Sequence, residues 1–358
     1  MRIGIDAREL CGYPTGVGRH LAGLLRAWST DAAASRHTFV FYAHRVVSTP
    51  LRNAELRVVP GSPGTFWEQY ALPQAARADD LDAFFAPGYT APLAWSIPTV
   101  VLVHDISFVA HPEWFRWREG LRRRIITRRS THRARLVLTV SEAARREIMS
   151  HMDLPPDRVR RIYPGLVSML GEDDPPPREL LVLFAGSVFN RRHVPDLIRA
   201  FEPIAREHPE ARLEIVGDNR TYPRQNLPGL VAAARLQTQV VMRHYVSDYE
   251  LTLLYGRAQA FAWLSEYEGF GHPPLEALGS DVPSVLLDSA VAREVCGDAA
   301  LYVRLGDIPG TTAALKSLLF DQTVRARVLA AGPAVLARYS WTRAAAETLA
   351  ALEDAARG

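Results

Sequence analysis

Short apolar runs alternate with longer stretches of helical period along almost the whole chain. Residues 3–6, 39–42, 82–85, 99–103 and 137–140 are β-branched or aliphatic, with helical patterns between them, the order that predicts a parallel sheet wrapped by helices. A second series follows at 181–185, 213–216, 240–242, 261–264 and 282–287. Between the two, residues 168–178 lose all period and carry Gly171, a run of acids and three consecutive prolines, the composition of a linker. The pattern therefore predicts an α/β chain of two Rossmann-like domains with parallel sheets, residues 1–167 and 179–338. Residues 339–358 are expected to form a last helix. From Val324 onward alanine, leucine and arginine recur at helical spacing, broken at Gly332-Pro333, with Ser340 or Thr342 available as a cap. No strand remains there to wrap, so these helices are expected to cover a seam between domains.

A length of 358 residues suits two domains, each large enough to bury a core. The composition, 48% hydrophobic and 23% charged, is that of a soluble globular protein rather than a disordered or membrane one. No run reaches the roughly eighteen apolar residues of a spanning helix, and residues 1–6 read as a strand rather than a leader, so a cytoplasmic location is expected. Cys11 and Cys296 are too few for a disulfide framework, and no Cys/His spacing suits zinc. Net charge is only +3 and points to no nucleic-acid partner, but the cations are nearly all arginine, which grips phosphate as a planar fork.

Candidate chemistry lies where strands end. In open parallel sheets ligands collect at the carboxyl ends of the strands. Each series opens with a strand leading to a glycine-containing turn. In the first turn, residues 12–19, Gly16 and Gly18 let backbone N–H groups approach an anion at a helix start, or simply make a tight bend. Leu21 stands where the third glycine of the dinucleotide fingerprint belongs, which excludes that motif. In the second turn Gly186 is followed by Arg191, Arg192 and His193, just before a helix expected over 194–208. Cations at a helix N-terminus oppose its dipole, so adjacent arginines there point to a bound diphosphate rather than to a structural role.

Residues 265–276, following the strand 261–264, carry most information. The two prolines fit only the first turn of a helix. Glu268 then sits in a loop with Gly269, Phe270 and Gly271, and Glu276 about one turn inside the helix, so that both carboxylates can face one cleft. Carboxylates accept hydroxyl pairs of sugar or ribose, and amides beside glycines bind phosphate. His104 and Asp105 end the strand 99–103, where a histidine serves either a sugar hydroxyl or the local hydrogen bonding. Ser141 most simply caps a helix. Asp80-Leu81-Asp82 matches a metal-binding D-x-D in letters only, and its acids read as the polar entry to a strand. Finally, residues 113–135 predict a helix in which Trp114, Phe115, Trp117, Leu121, Ile125 and Ile126 are interleaved with arginines. Such a helix either lies on anionic lipid or packs its aromatics inward and turns its arginines to water.

Together these stretches resemble the retaining family-four glycosyltransferases of the GT-B fold, over nearly the whole chain. The most specific likeness is the E-x7-E element, Glu268 to Glu276 in Glu-Gly-Phe-Gly-His-Pro-Pro-Leu-Glu. Ala292-Arg293-Glu294-Val295-Cys296-Gly297-Asp298-Ala299-Ala300 follows, where relatives often have Pro-Glu-Val-x-Gly-Asp-Ala-Ala. Gly16-Val17-Gly18-Arg19, Val103-His104-Asp105, Thr139-Val140-Ser141-Glu142, Tyr245-Val246-Ser247-Asp248 and Ser340-Trp341-Thr342 are similar to further landmarks. Arg191, Arg192 and His193 stand where relatives commonly carry Arg-Lys-Asn.

The resemblance implies two facing Rossmann-like domains, with the final helix crossing back to the first. It implies transfer of a hexose or deoxyhexose from a nucleotide sugar, without a metal or other cofactor, to a glycan, lipid-linked or small-molecule acceptor, as in polysaccharide biosynthesis. Glu276 would hold the donor ribose. Glu268 and the amides of 269–271 would hold the transferred sugar, Arg191 and Arg192 the diphosphate, and His104 would face the sugar or acceptor. Gly16, Gly18, Asp105, Gly186, Tyr245 and Val246 complete the expected binding set. Trp67-Glu68-Gln69 and the surroundings of His104 resemble mannosyl- and rhamnosyltransferases, which makes GDP-mannose the first donor to test, with UDP- and dTDP-sugars after it. A nucleotide-sugar epimerase or a non-catalytic nucleotide-sugar binder is the competing expectation, and release of nucleoside diphosphate separates them from transfer.

Overall fold

The computed structural model describes residues 1–12, 16–166 and 176–358, so Tyr13 to Thr15 of the first turn and residues 168–175 of the expected linker lie outside the described residues. The chain divides into two compact units, Met1–Gly165 together with Tyr339–Gly358, and Leu166–Arg338.

The first unit holds β1 (Arg2–Asp6), β2 (Thr38–Ala43), β3 (Ala54–Val58), β4 (Ala83–Ala86), β5 (Thr99–Leu102), β6 (Leu136–Thr139) and β7 (Val159–Arg161). They form one sheet in the order β3-β2-β1-β4-β5-β6-β7, with every pairing parallel. The central strands are continuous apolar runs because helices cover both faces, and β4, β5 and β6 are buried throughout. Edge strands β3 and β7 were not legible: Ala-Glu-Leu-Arg-Val and Val-Arg-Arg carry exposed or half-exposed charges, as edges do.

The second unit holds β8 (Leu181–Ala185), β9 (Arg212–Val216), β10 (Val240–Arg243), β11 (Ala260–Trp263), β12 (Ser284–Leu287) and β13 (Ala300–Val303). Their order, β10-β9-β8-β11-β12-β13, is again parallel throughout and is the doubly wound Rossmann arrangement. In both sheets the strand order reverses beside the first strand: between β1 and β4, and between β8 and β11. These switch points open crevices at the carboxyl ends, and both prove to be where charged side chains gather.

The last helix, Trp341–Arg357, starts on Ser340, whose hydroxyl accepts from the Arg343 amide, and belongs to the first unit. A Cβ at Gly23, on helix Gly16–Trp28, would lie 2.5 Å from the Trp341 ring, and one at Gly165 would lie 2.2 Å from the Trp341 nitrogen. Trp28 adds a bond from Nε1 to the Ala345 carbonyl at 2.9 Å. Glycine at these positions is thus required by the tryptophan that docks the helix. At the other end of the expected linker Arg178 is anchored in the second unit, donating to the carbonyls of Tyr255, Ala258 and Ser280.

The single helix expected over 113–135 is two pieces, a 3-10 turn Pro112–Trp114 and the helix Trp117–Arg133, separated because Phe115 and Arg116 are extended. The longer piece buries Gly120, Thr127, Ser130 and Thr131 and exposes Trp117, Leu121 and Ile125. Its small residues face inward and its large apolar ones outward, the reverse of an ordinary surface helix.

Candidate active site

In the second unit the switch point is built on two glycines. Gly186, after β8, has φ +145°, and Gly217, after β9, has φ +140°. A Cβ on Gly217 would lie 2.1 Å from the Gly186 carbonyl oxygen, so only glycine allows this approach. The loop then makes a 3-10 turn, Asn190–Arg192, and His193 enters helix Val194–Glu207 in the left-handed region at φ 44°.

Arg192 reaches across the switch point. Its Nε and Nη2 each lie 3.0 Å from Glu268 Oε1, and Nη1 donates to the Ser187 carbonyl at 2.6 Å. The guanidinium lies 4.2 Å from the centre of the Trp263 ring, which itself stacks on Phe184. Ser265 donates a hydrogen bond to the same Glu268 oxygen at 2.9 Å. One carboxylate oxygen is therefore held by two hydrogen bonds and an ion-pair contact, while the other is left to accept elsewhere. Arg191 lies over Phe189 at 4.5 Å, and its carbonyl receives the Glu266 amide at 3.0 Å. His193 Nε2 is 3.4 Å from the Glu266 carboxylate.

Gly269 and Phe270 are buried beneath this loop, and Gly271, at φ +95°, caps helix His272–Leu278, whose first turn carries the prolines. Glu276 accepts from the buried Tyr255 hydroxyl at 3.1 Å. The two glutamates of the E-x7-E element are thus fixed by separate partners. Tyr245 and Val246 follow edge strand β10, two strands from β8, and Tyr245 is exposed beside a capping box formed by Ser247 and Glu250. Cys296 is buried, and burial pushes its thiol up to about 12, so it stays protonated at neutral pH.

In the first unit, helix Gly16–Trp28 already begins at Gly16 and buries Gly18 in its first turn, so these glycines belong to the helix rather than to the turn expected before it. His104 follows β5. Its Nε2 lies 3.2 Å from the Pro87 carbonyl, which only accepts, so that nitrogen carries the proton. Burial holds the His104 pKa below the ordinary histidine value, against the opposing charge of Asp105. Asp105 has both oxygens engaged, one by the Ser107 amide at 2.8 Å and one by the Tyr89 hydroxyl at 3.0 Å.

Sequence reasoning overlooked a second charged cluster, at the switch point between β1 and β4. Arg8 binds Asp6 through Nε at 2.9 Å and Nη2 at 2.6 Å, and binds Glu68 through Nη2 at 2.5 Å. Thr90 donates to the same Glu68 oxygen at 2.6 Å, Gln69 donates to the other at 2.7 Å, and the Arg8 guanidinium lies 5.0 Å from the Trp67 ring centre. Only the Trp67-Glu68-Gln69 stretch had signalled this place, and nothing in the sequence pairs it with a residue sixty positions earlier.

Two family models match in tandem: Glycosyltransferase Family 4 over residues 14–167, and Glycosyl transferases group 1 over residues 172–333. The chain belongs to the family-four glycosyltransferases. Among curated relatives of this glycosyltransferase, O-antigen chain mannosyltransferase B of Escherichia coli is 28% identical over 70% of this chain and 68% of its own. The MMP alpha-(1->4)-mannosyltransferase of Mycolicibacterium hassiacum is 26% identical over 82% of this chain and 75% of its own. Among solved structures, Anabaena HepE in complex with UDP and glucose matches with a TM-score of 0.75 at 16% identity, covering 98% of this chain and 99% of that one. Sucrose-phosphate synthase from Thermosynechococcus elongatus matches at 0.80 and 15%, covering 99% and 98%. These likenesses establish the GT-B fold, with its two Rossmann-like domains and C-terminal helix.

Proposed function

We propose that this glycosyltransferase moves a hexose or deoxyhexose, mannose first, from a nucleoside-diphosphate sugar to an acceptor hydroxyl in polysaccharide synthesis, with retention of configuration. The observation that carries the reading is the Arg192–Glu268 pair at the switch point of the second sheet. A guanidinium fixed by a carboxylate, a carbonyl and an indole face is a preorganised cation, the device that stabilises charge developing on a leaving diphosphate. Glu268 serves two ends at once: Oε1 fixes Arg192, and Oε2 accepts a hydroxyl of the transferred sugar. Arg191 and the amides of 269–271 add diphosphate contacts, Glu276 takes the ribose, and Gly186 lets the backbone approach the donor. Tyr245 and Val246 add the remaining donor contacts. Neutral His104 accepts through Nδ1 from the sugar or acceptor.

In the reaction the bond from the anomeric carbon to the diphosphate oxygen breaks and a bond to the acceptor oxygen forms on the same face. The acceptor proton passes to the departing diphosphate. The arginines supply the positive charge, so transfer runs without a metal and is insensitive to chelator. The names of the mannosyltransferase relatives support GDP-mannose as the first donor. Incubation with GDP-mannose, UDP-glucose and a dTDP-sugar, followed by product analysis, tests the reading. Release of nucleoside diphosphate with an α-linked product is expected, whereas an epimerised nucleotide sugar refutes it.

The outward stripe of helix Trp117–Arg133 supports a peripheral contact with anionic membrane. Trp117, Leu121 and Ile125 are exposed at successive turns, on a helix with seven arginines and one glutamate. Phe66 and Tyr70, stacked at 5.1 Å and both exposed, join the patch, since Arg122 donates to Thr65 at 2.8 Å. Salt-sensitive binding to vesicles containing phosphatidylglycerol is expected, and Trp117→Ala with Leu121→Ala should abolish it. Equal binding by that variant removes the membrane contact from the account.

A further inference from the structure

The cluster around Arg8 has the marks of a binding site rather than of a brace. It occupies the switch point of the first sheet: Asp6 ends β1, Arg8 follows it, and Thr90 lies in the loop after β4. The side chains of Asp6 and Glu68 are 6% and 4% exposed, and Arg8 keeps 15%. Desolvating three charges gains little over packing apolar groups in the same volume, so stability alone does not account for them. The geometry is also asymmetric. Nε and Nη2 of Arg8 are committed to the carboxylates, whereas Nη1 enters none of these bonds.

Everything around the arginine fixes its plane. Trp67 beneath it is buried and tied through Nε1 to the Val59 carbonyl at 2.8 Å, and Glu68 is tied to Thr90 and Gln69. Gln69 is in turn fixed by the Ala91 carbonyl and the Leu93 amide. Thr90 follows Tyr89, which adopts φ 70°, an uncommon conformation for a residue with a side chain, and whose ring lies 5.7 Å from the His104 ring at a tilt of 50°. The chain of contacts from Arg8 through Glu68, Thr90 and Tyr89 to His104 is therefore continuous along the carboxyl edge of the sheet.

We propose that Arg8 is an acceptor-binding residue, donating through Nη1 to a hydroxyl of an uncharged sugar, and that Asp6 and Glu68 make the site reject phosphorylated sugars. The inference rests on the sugar-transfer reading and adds the acceptor's charge class to it. The charge count decides that class. One guanidinium stands against two carboxylates, so the cluster is net negative; a phosphate would meet an already neutralised arginine and two like charges. A sugar hydroxyl meets no such repulsion, and it can donate to a carboxylate or to Thr90 while accepting from Nη1.

The test uses the full chain and two titrations. Saturation-transfer NMR with methyl α-D-mannopyranoside, methyl α-D-glucopyranoside and mannose 6-phosphate reads the first site, and calorimetry with GDP and UDP reads the second. At least one neutral glycoside should bind, more tightly than mannose 6-phosphate. Arg8→Ala should weaken it by about tenfold or more, the loss expected for a charge-assisted hydrogen bond, with nucleotide affinity unchanged. Arg8→Lys keeps a cation between the carboxylates but not the planar fork, so it should retain the melting temperature and still lose the glycoside. If nucleotide binds but no glycoside does, or if Arg8→Lys and Arg8→Ala bind it as well as the native chain, the Arg8 assignment alone is overturned. A preference for mannose 6-phosphate overturns the charge argument. If neither nucleotide binds, the sugar-transfer reading falls and this inference with it.

Discussion

Arg192→Ala removes the cation on which the proposed donor site is centred. In the native structure Arg192 makes two N–H contacts with Glu268 at 3.0 Å, one bond to the Ser187 carbonyl and a cation–π contact with Trp263. If leaving-group charge develops against this guanidinium, its loss should cost about 2.7–4 kcal/mol of transition-state stabilisation, a fall of about 10²–10³ in kcat. The substitution also strands Glu268, whose side chain is only 18% exposed, at a cost of about 1–3 kcal/mol in folding. Glu268→Gln relieves that cost, so the double variant should be more stable than Arg192→Ala alone. In a double-mutant cycle on turnover the pair should couple by about 0.5–3 kcal/mol, because each orients the other. The assay is nucleoside diphosphate release from GDP-mannose under saturating donor, with melting temperature followed in parallel. A folded Arg192→Ala protein with native kcat, or effects of the two substitutions that simply add, would refute the assignment.

Other perturbations test separate links. Tyr255→Phe deletes the hydroxyl that donates to Glu276 and should weaken nucleotide binding by about 0.5–1.5 kcal/mol with kcat retained, as read by calorimetry. His104 has a folded pKa held below the unfolded value, so its contribution to stability is complete above about pH 6.5 and is lost as the pH falls through that value toward the folded one. Melting temperature should therefore drop between pH 7 and pH 5, and His104→Gln should flatten part of that drop, though not the share of His37, whose pKa burial also lowers. Gly23→Ala places a methyl group 2.5 Å from the Trp341 ring and should destabilise the first unit by about 1–3 kcal/mol, seen in chemical unfolding.

The fold was legible because parallel strands buried on both faces read as continuous apolar runs, as in Leu181–Ala185 and Thr99–Leu102. Edge strands β3 and β7 were not, since Ala54–Val58 alternates with charge and Val159–Arg161 carries two arginines turned to water. The residues proposed to hold the donor stood out one at a time: adjacent arginines after a glycine, and two carboxylates eight positions apart around a helix start. Their pairing was not, because Arg192 meets Glu268 across 76 positions, and sequence spacing says nothing about which loops a switch point brings together. The same holds for Arg8 and Glu68. The arginine-rich helix shows a third kind of limit. Its period leaves open which face is buried, and the structure turns Gly120, Thr127, Ser130 and Thr131 inward where bulk alone would have pointed to Trp117 and Leu121.

The central claim, that the second unit binds a nucleotide sugar through Arg192 and Glu268 and the chain transfers its sugar, is tested most directly by one calorimetric titration of the full chain. The panel is GDP-mannose, UDP-glucose and a dTDP-sugar, repeated with Arg192→Ala. The account predicts saturable binding of at least one of them, weakened by the substitution. No binding of any nucleotide sugar, or equal binding by Arg192→Ala, would contradict it.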